Sequence, residues 1–201
     1  MLPLLLNKII QTDKLLFLHL VTQKNRIYTF LNPVSYLIAL ENKSLFEQFD
    51  GIFADGSLLV SAIRLVYGKR VTRRSFDMTS LAPELLNYLM ESRKTLYIVA
   101  SGQEQVECSV RIFQEQYPEL RIAGFRNGYF SSDAEMNKEA SHIVELNPDF
   151  LIVGMGALMQ EKFLLKVKKM GYQGIGFTCG GFVHQTAMNR MPSSPKWLDM
   201  M

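Results

Sequence analysis

The sequence predicts a single Rossmann-like α/β domain over residues 1–201, in which helices flank a mostly parallel sheet. Three observations lead to this prediction. Short apolar runs that are typical of buried strands alternate with amphipathic stretches that are typical of helices. In the second half, a strand, a turn and a helix follow one another three times, which implies parallel strands joined by right-handed crossovers. The length of 201 residues and the hydrophobic content of 48% suit one core of considerable size.

Six short runs of apolar, aromatic or β-branched residues predict the strands, and each run ends at or near a turn-forming residue. The fifth run is apolar throughout, as expected of a strand buried on both faces. The predicted strands are 26–31, 51–54, 95–100, 121–124, 150–153 and 174–178.

Helical spacing of apolar residues fills the segments between these strands. The segment 4–23 can also be read as helical, although 15–21 could equally form a strand. Pro83 suits the first turn of the helix in which it lies, because its missing N–H has no partner there anyway. The predicted helices are 34–40, 44–49, 58–67, 80–91, 104–116, 133–145 and 158–169.

The composition excludes several classes of function. A net charge of +3, from 22 basic and 19 acidic residues, is too balanced for a dedicated nucleic-acid binder. Cys108 and Cys179 lack metal-ligand spacing and are interpreted as buried thiols of a reducing compartment. The first ten residues lack a basic n-region and are interrupted at Asn7 and Lys8, so neither a signal peptide nor a membrane span is expected. We therefore expect a cytoplasmic protein.

Polar and glycine residues follow every predicted strand, at the edge where parallel α/β sheets bind ligands. The most informative stretch is 149–161, DFLIVGMGALMQE, in which a buried strand, a glycine turn and a helix come in direct succession. Such a turn presents backbone N–H groups and a positive helix end to a phosphate. The residues that stand out at this edge are Asn32, Asp55, Gly56, Ser101, Gly102, Arg126, Gly128, Tyr129, Gly154, Gly156, Gln160, Glu161, Cys179, Gly180 and Gly181.

Each candidate residue also has a purely structural interpretation. Asp55 could cap the following helix or act as a general base. Arg70, Arg73 and Arg74 could form a solvated basic surface or clamp a diphosphate. Asp77 could cap the next helix or fix one of those arginines.

The remaining candidates carry the same two interpretations. Gly128 lies in an Asn-Gly turn, and Tyr129 beside it could be part of the core or a platform for a base. Gln160 and Glu161 could be ordinary residues of a first helical turn. His184 is by default a structural histidine. The sequence contains no catalytic triad, metal-ligand cluster or P-loop signature.

Five strings occur in an order that resembles a known family. They are FADGSLLVSAIRLVYG, RVTRRSFDMTSLAPEL, FRNGYF, DFLIVGMGALMQE and CGGFVHQTAMNRMPSSPKW. Together they resemble the WecG/TagA/CpsF glycosyltransferases, glycosyltransferase family 26, from about Asn32 to Trp197.

The resemblance implies an inverting glycosyltransferase. Members transfer a sugar, commonly N-acetylmannosamine, from a UDP donor to an undecaprenyl-diphosphate-linked acceptor at the inner face of the bacterial membrane. It also implies peripheral membrane contact, a homodimer or larger assembly, and catalysis without a bound metal or other cofactor. The products are precursors of teichoic acid, common antigen, capsule or O-antigen.

The resemblance also assigns roles to residues. The aspartate of the family's DG motif falls on Asp55, the expected general base, and the family asparagine that follows its first strand falls on Asn32. The basic loop residue falls on Arg73 or Arg74. The other positions implied to bind substrate are Gly154, Gly156, Gln160, Glu161, Gly180, Gly181 and Arg190.

Three departures from the family pattern affect these expectations. Leu158 and Met159 replace the family's usual Pro-Lys, which removes a cation, and His184 stands where an aspartate is common. Relatives continue past the Pro-Lys-Trp motif with a basic amphipathic tail, whereas this sequence reaches Met201 soon after Trp197. A shortened chain, a naturally short member and a chain that needs another subunit are all compatible with this ending.

Two rival functions fit the same fold. A nicotinamide-dependent oxidoreductase would carry G-x-G-x-x-G after an early strand and an acidic residue about twenty positions later, and this pattern is missing. A non-catalytic module that binds nucleotide sugars is the other alternative.

Overall fold

The computed structural model describes residues 7–9 and 20–189, which form an α/β fold around one six-stranded sheet. Every strand pair in this sheet is parallel, and the strands lie in the order β2-β1-β6-β5-β3-β4. The strands are β1 (Arg26–Leu31), β2 (Gly51–Ala54), β3 (Thr95–Ala100), β4 (Arg121–Arg126), β5 (Phe150–Gly154) and β6 (Ile175–Thr178).

Helices connect the strands and cover both faces of the sheet, as parallel strands require. Among the described residues they are α1 (Pro33–Glu41), α2 (Lys43–Phe46), α3 (Ser57–Tyr67), α4 (Leu81–Glu91), α5 (Gln103–Gln116), α6 (Asp133–Leu146), α7 (Met159–Lys169) and α8 (Phe182–Met188).

Burial follows from position in the sheet. The central strand β5 is buried along its whole length, whereas the edge strand β4 alternates between exposed and half-buried residues. On one face of the sheet, Phe177 stacks on Tyr28 and Phe150, with ring centroids 5.2 and 6.5 Å apart. The apolar run that predicted β5 therefore has the two-sided burial expected of it.

The predicted fold class is confirmed, and all six predicted strands are present. β4 continues to Arg126, two residues further than predicted, because it stays paired with β3 through Val99 and Arg126. The helix predicted at 44–49 is only the short α2, and α8 was not predicted. The prediction for 4–23 falls largely outside the described residues; within them, Ile9 forms a bridge with Ile52.

Two further expectations can be compared with the structure. Cys179 is buried as expected, but Cys108 on α5 is only half-buried, so its prediction as a buried thiol is wrong. Among residues 7–9 and 20–189, no helix combines the length and hydropathy that a membrane span needs.

Candidate active site

A cavity of about 870 Å³ opens at the carboxyl edge of the sheet. The segments that follow all six strands contribute to its lining, from Asn32 after β1 and Asp55 after β2 to Gly180 after β6. This is the edge at which parallel α/β sheets bind ligands. Asp55, the expected general base, and Gly154 of the glycine turn both line it.

Most of the residues predicted from the sequence come together here. They include both charged residues of the Asp55–Arg73 pair and the glycines of both late turns. The predicted residues that line the cavity are Asn32, Asp55, Arg73, Asp77, Gly128, Tyr129, Gly154, Gly156, Gln160, Gly180, Gly181 and His184.

Gly56, Gly102, Arg74 and Glu161 do not line the cavity, and each has another structural role. Gly56 and Gly102 are the N-cap residues of α3 and α5. Arg74 forms an ion pair with Glu84 at 3.0 Å, and Glu161 is only 1% exposed. Of the two arginines proposed for the basic loop, Arg73 is therefore the one available to a ligand in the cavity. Arg190 lies outside the described residues.

Asp55 follows β2 and is held by the sheet, because its backbone N–H donates to the carbonyl of Leu31 at 2.8 Å. Gly56, with φ +88°, takes the N-cap position of α3 and no side chain caps that helix. The alternative that Asp55 is a helix cap is therefore wrong. Its side chain is 31% exposed and lines the cavity.

Burial raises the pKa of Asp55 above its ordinary value, despite the opposing charge of Arg73. The negative charge of Asp77 adds to the rise, whereas the N–H of Gly56 opposes it. Arg73 Nη2 lies 3.8 Å from both Asp55 Oδ1 and Asp77 Oδ2, and it donates to Ser75 Oγ at 3.2 Å. One guanidinium thus sits between two carboxylates at the cavity wall.

The glycine turn after β5 combines two different requirements for glycine. At Gly154 a Cβ would lie 2.7 Å from both Cys179 Sγ and the carbonyl oxygen of Gly180, so close packing of the strand ends excludes a side chain. At Gly156 a Cβ would meet no atom within 4 Å, but φ is +81°, so the backbone conformation and not packing favours glycine. The backbone at Gly156 is therefore open on the side where a Cβ would point.

Gln160 and Glu161, in the first turn of α7, hold this turn in place. Gln160 Oε1 accepts from the N–H of Gly180 at 3.1 Å, and its Nε2 donates to Glu161 Oε1 at 2.9 Å. Glu161 Oε2 accepts from the N–H of Leu158 at 2.7 Å, and Oε1 accepts from Thr29 Oγ1 at 2.8 Å. The pair therefore links the two glycine turns to β1 beneath the cavity.

This hydrogen-bond network includes a residue with an unusual backbone conformation, Leu158, and a buried acid, Glu161. Leu158 has φ +73°, which is rare for a residue with a branched side chain. The hydrogen bond from its N–H to Glu161 helps to hold that conformation. Burial raises the pKa of Glu161, and the hydrogen bonds from Gln160, Thr29 and Leu158 only partly oppose the rise.

Two further predicted residues, Asn32 and His184, make polar contacts within the chain. Asn32 Oδ1 caps α1 by accepting from the N–H groups of Val34 and Ser35 at 3.0 and 2.9 Å. His184 Nδ1 lies 3.4 Å from Ser101 Oγ across the cavity edge. Both side chains are exposed and line the cavity, so each still presents atoms to a ligand.

The FRNGYF loop is fixed by Arg126. Its Nε donates to the carbonyl of Asn127 at 2.9 Å, and its guanidinium carbon lies 4.0 Å from the ring centroid of Phe130. Tyr129 is 75% exposed, so its interpretation as a core residue is wrong. At Gly128 a Cβ would lie 2.9 Å from Met155 Cγ, so the absence of a side chain lets this loop approach the glycine turn closely.

Sequence reasoning missed a group of aromatic residues that line the cavity. Phe76 makes edge contacts with Phe30 and Phe182, with ring centroids 5.6 and 5.2 Å apart. A signal existed only for Phe30, which stands two residues before Asn32 near the end of β1. The other two follow no strand directly and are brought to the cavity by tertiary packing. Further lining residues without a distinctive sequence signal are Ser35, Ser75, Met136, Met155 and Gln185.

Comparison with known proteins identifies the family. A sequence model of the WecG/TagA/CpsF family of glycosyl transferases matches residues 10–201. The chain belongs to this family. The "UDP-Gal:alpha-D-GlcNAc-diphosphoundecaprenol beta-1,4-galactosyltransferase" of Shigella boydii is 33% identical over 161 residues, which cover 80% of this chain and 67% of that protein.

Members of the WecG/TagA/CpsF family with other donors are also similar to the chain. The "N-acetylglucosaminyldiphosphoundecaprenol N-acetyl-beta-D-mannosaminyltransferase" of Bacillus subtilis (strain 168) is 23% identical over 185 residues, 90% of this chain and 70% of that protein. A protein of the same name from Staphylococcus aureus (strain NCTC 8325 / PS 47) is 26% identical over 121 residues, 60% of this chain and 46% of that protein. The predicted family and the predicted class, a hexosyltransferase, are both confirmed.

The cavity of this WecG/TagA/CpsF protein combines two chemical abilities. A partly buried carboxylate with a raised pKa can accept a proton from a hydroxyl group. Glycine turns at the start of α7 and α8 can meet an anion with backbone N–H groups. In the part of the chain that the structure describes, no three His, Cys, Asp or Glu side chains are grouped as metal ligands would be.

Proposed function

We propose that the protein is an inverting glycosyltransferase that moves a hexose from a UDP donor to an undecaprenyl-diphosphate-linked acceptor in bacterial surface-polysaccharide synthesis. The observation that carries the proposal is the shared cavity, in which Asp55 and Arg73 line the same space as the glycine turns at 154–156 and 180–181. The names of the relatives support the substrate classes, since they specify a diphosphoundecaprenol acceptor and β-linked products.

Asp55 is the general base in this proposal. Inversion requires the acceptor hydroxyl to attack the anomeric carbon in line with the departing UDP, while a base removes its proton. Burial suits Asp55 to this role because it raises the pKa of the carboxyl group, and a carboxylate with a raised pKa is a stronger base. The positive charge of Arg73 opposes the effect of burial and favours the ionised form of Asp55, which is the form that can accept a proton.

The departing diphosphate is stabilised by the glycine turns and Arg73, without a metal or other cofactor. The eleven-residue helix α7 begins directly after the turn at Gly156 and presents a positive helix end there. Arg73 supplies a guanidinium at the same cavity. Gln160 and Glu161 position the two glycine turns. The sugar or the acceptor is contacted by Asn32, Asp77 and His184. Tyr129 covers the opening of the cavity.

The donor sugar is an N-acetylmannosamine or a related hexose. The Bacillus and Staphylococcus relatives are named as N-acetylmannosaminyltransferases, while the Shigella relative, at 33% identity, is named as a galactosyltransferase. UDP-galactose is therefore the first alternative donor. The acceptor implies work at the inner face of the membrane, as a peripheral protein that assembles with further copies of itself.

A donor screen tests this proposal. The chain would be incubated with a GlcNAc-diphospholipid analogue and, in turn, UDP-N-acetylmannosamine, UDP-galactose, UDP-glucose and UDP-N-acetylglucosamine, with and without membranes. We expect one donor to give a β-linked disaccharide product. Tight binding of UDP without turnover of any donor would instead indicate a non-catalytic module, and binding of NAD without UDP would indicate the oxidoreductase.

A further inference from the structure

Two neighbouring helices expose an unusual number of large apolar side chains. Val34, Leu37 and Leu40 on α1 are 70, 63 and 38% exposed, and their spacing of three residues keeps them on one side of the helix. Leu58, Leu65 and Val66 on α3 are 69, 87 and 64% exposed. We call these six residues the apolar face. Contiguous exposed apolar surface of this kind marks a binding surface.

The two rows lie on helices that pack over the same small core and start close to each other. Ala39 of α1 and Leu59 and Ile63 of α3 are buried in the same small core, which also contains Leu31 of β1. At their N-terminal ends, a Cβ on Gly56 would lie 3.7 Å from Cδ of Pro33, so the helix starts are in near contact. The apolar face therefore extends over both helices.

The charge beside the apolar face is positive. Residues 57–73, which comprise α3 and the loop after it, contain basic residues at four positions and no acidic residue. Of these, Arg64, Lys69 and Arg70 are exposed. The acidic residue of α1 is Glu41, which is exposed at the end of that helix opposite Pro33. Apolar side chains flanked by cations match a membrane surface that contains anionic lipids.

A second copy of the chain matches this surface less well. In a two-fold symmetric contact the same patch is used by both copies, so one interface would contain the basic residues of both. An anionic lipid surface instead neutralises them and accepts the leucine side chains among its acyl chains.

The apolar face also borders the cavity. Asn32 directly precedes α1, and Asp55 comes two residues before α3; both line the cavity. The ends of α1 and α3 that carry Val34 and Leu58 are therefore the ends next to the candidate active site.

We propose that the apolar face, with Arg64 and Lys69 beside it, docks on an anionic phospholipid bilayer and turns the cavity opening towards the lipid-linked acceptor. This inference rests on the proposed function for its acceptor, but membrane docking can be measured without turnover. Docking at this place lets the diphosphate head of the acceptor reach Asp55 while its lipid tail stays in the bilayer.

The test compares two paired variants of the full 201-residue chain. Leu58→Gln/Leu65→Gln removes apolar side chains from the apolar face and keeps good helix formers. Leu146→Gln/Met170→Gln is the matched control, since these residues are 42 and 40% exposed beyond the opposite, amino edge of the sheet. Co-sedimentation would use vesicles of phosphatidylethanolamine with about 30% phosphatidylglycerol, and vesicles of phosphatidylcholine alone.

We expect the wild-type chain and the control to bind the anionic vesicles, and the Leu58/Leu65 variant to bind at least about tenfold more weakly. Arg64→Gln/Lys69→Gln should lower binding about 25-fold, because each cation near an anionic surface contributes about fivefold. Binding to phosphatidylcholine vesicles should be weak throughout. Equal vesicle binding by the Leu58/Leu65 variant and the control, or no binding by the wild-type chain, would overturn the proposal.

Further measurements show whether something other than a membrane covers the apolar face, and they separate membrane docking from sugar transfer. If only the Leu58/Leu65 variant loses an oligomer in sedimentation equilibrium, the face joins copies of the chain, and the proposal is overturned. It is also overturned if only that variant melts at a much lower temperature, since a segment of this chain then covers the face. Loss of transfer to a long-chain acceptor in vesicles, with transfer to a short soluble acceptor retained, supports docking. No transfer to either acceptor by the wild-type chain, with vesicle binding intact, refutes the proposed function and not the docking face.

Discussion

Aspartates stand at both edges of the sheet, and their surroundings differ. At the amino edge, Asp50 precedes β2 and accepts from Lys168 Nζ at 2.6 Å, Arg26 Nη1 at 2.7 Å and the N–H of Ile27 at 2.8 Å. At the carboxyl edge, Asp55 follows the same strand, and its ion-pair partner, Arg73, stays 3.8 Å away.

The pKa values of these aspartates are shifted in opposite directions at the two edges. Burial alone would raise the pKa of Asp50, but the hydrogen bonds from Lys168, Ile27 and Arg26 outweigh it and leave the pKa below its ordinary value. The same holds for Asp149 before β5, which is bonded to Thr95 and Lys94. For Asp55 the effect of burial prevails and the pKa is raised. The amino-edge carboxylates are thus built to hold the fold, whereas Asp55 is kept ready to take up a proton.

The largest expected effect comes from removing the carboxylate at the carboxyl edge. Asp55→Asn should lower kcat about 10²–10⁴-fold, the usual contribution of a general base. Its melting temperature at pH 7 should be unchanged or higher. A raised folded-state pKa means that the free energy of unfolding falls as pH rises through it, and the Asn variant escapes that fall. An unchanged kcat would remove Asp55 from its role.

A second test asks whether Glu161 supports the carboxyl edge from below. Glu161→Ala deprives Leu158 N–H, Gln160 and Thr29 of their acceptor in a buried site. We expect a loss of about 2–5 kcal/mol in the free energy of unfolding, by the cost of unsatisfied buried donors. The melting temperature should fall by at least about 5 °C. A variant as stable as the wild-type chain would show that the network is not structural.

The amino edge should respond in the opposite way to Asp55. Asp50→Asn should lower the free energy of unfolding at pH 7 by about 1–2 kcal/mol, or the melting temperature by about 2–8 °C. The kcat of the folded enzyme should not change, because Asp50 is at the edge away from the cavity. A lowered folded-state pKa gives stability that is present above the ordinary pKa of 3.8 and is lost as pH falls through the folded value. The difference from wild type should therefore shrink as pH falls from about 5 to about 3; a constant difference would contradict the ion-pair account.

The smallest of these effects is a shift in the pH profile, which tests the interaction between Arg73 and Asp55. Its charge lowers the pKa of Asp55, so Arg73→Gln should move the acid limb of the pH profile of kcat/KM to higher pH. Arg73→Lys should move it less, because the charge is retained. A limb at the same pH in all three proteins would mean that Asp55 and Arg73 do not interact in the working enzyme.

The sequence was most informative where local rules decide the structure. Short runs of apolar, aromatic or β-branched residues located all six strands, and the edge they share followed from the topology of parallel sheets. Asp55, Gly154 and Gly180 could be singled out because they lie at the ends of strands and therefore had to be near one another.

The sequence was less informative where side-chain direction matters. Arg73 and Arg74 are adjacent in one loop, and only the packed structure sends Arg74 to Glu84 and Arg73 to the cavity. Gln160 and Glu161 look alike in the sequence, yet one lines the cavity and the other is buried against Thr29. The Phe76 ring reaches the cavity through long-range packing, which no local pattern encodes.

Calorimetric titration of UDP tests the central claim, a nucleotide-diphosphate site on the glycine turns, most directly. Gly156→Ala would be compared with Gly171→Ala, since both glycines have positive φ, +81° and +112°, but Gly171 follows α7 at the amino edge. We predict one UDP bound per wild-type chain, an affinity at least about tenfold lower for Gly156→Ala by the cost of a strained turn, and no change for Gly171→Ala. Equal affinity in all three proteins, or no binding of UDP to any of them, would contradict the account.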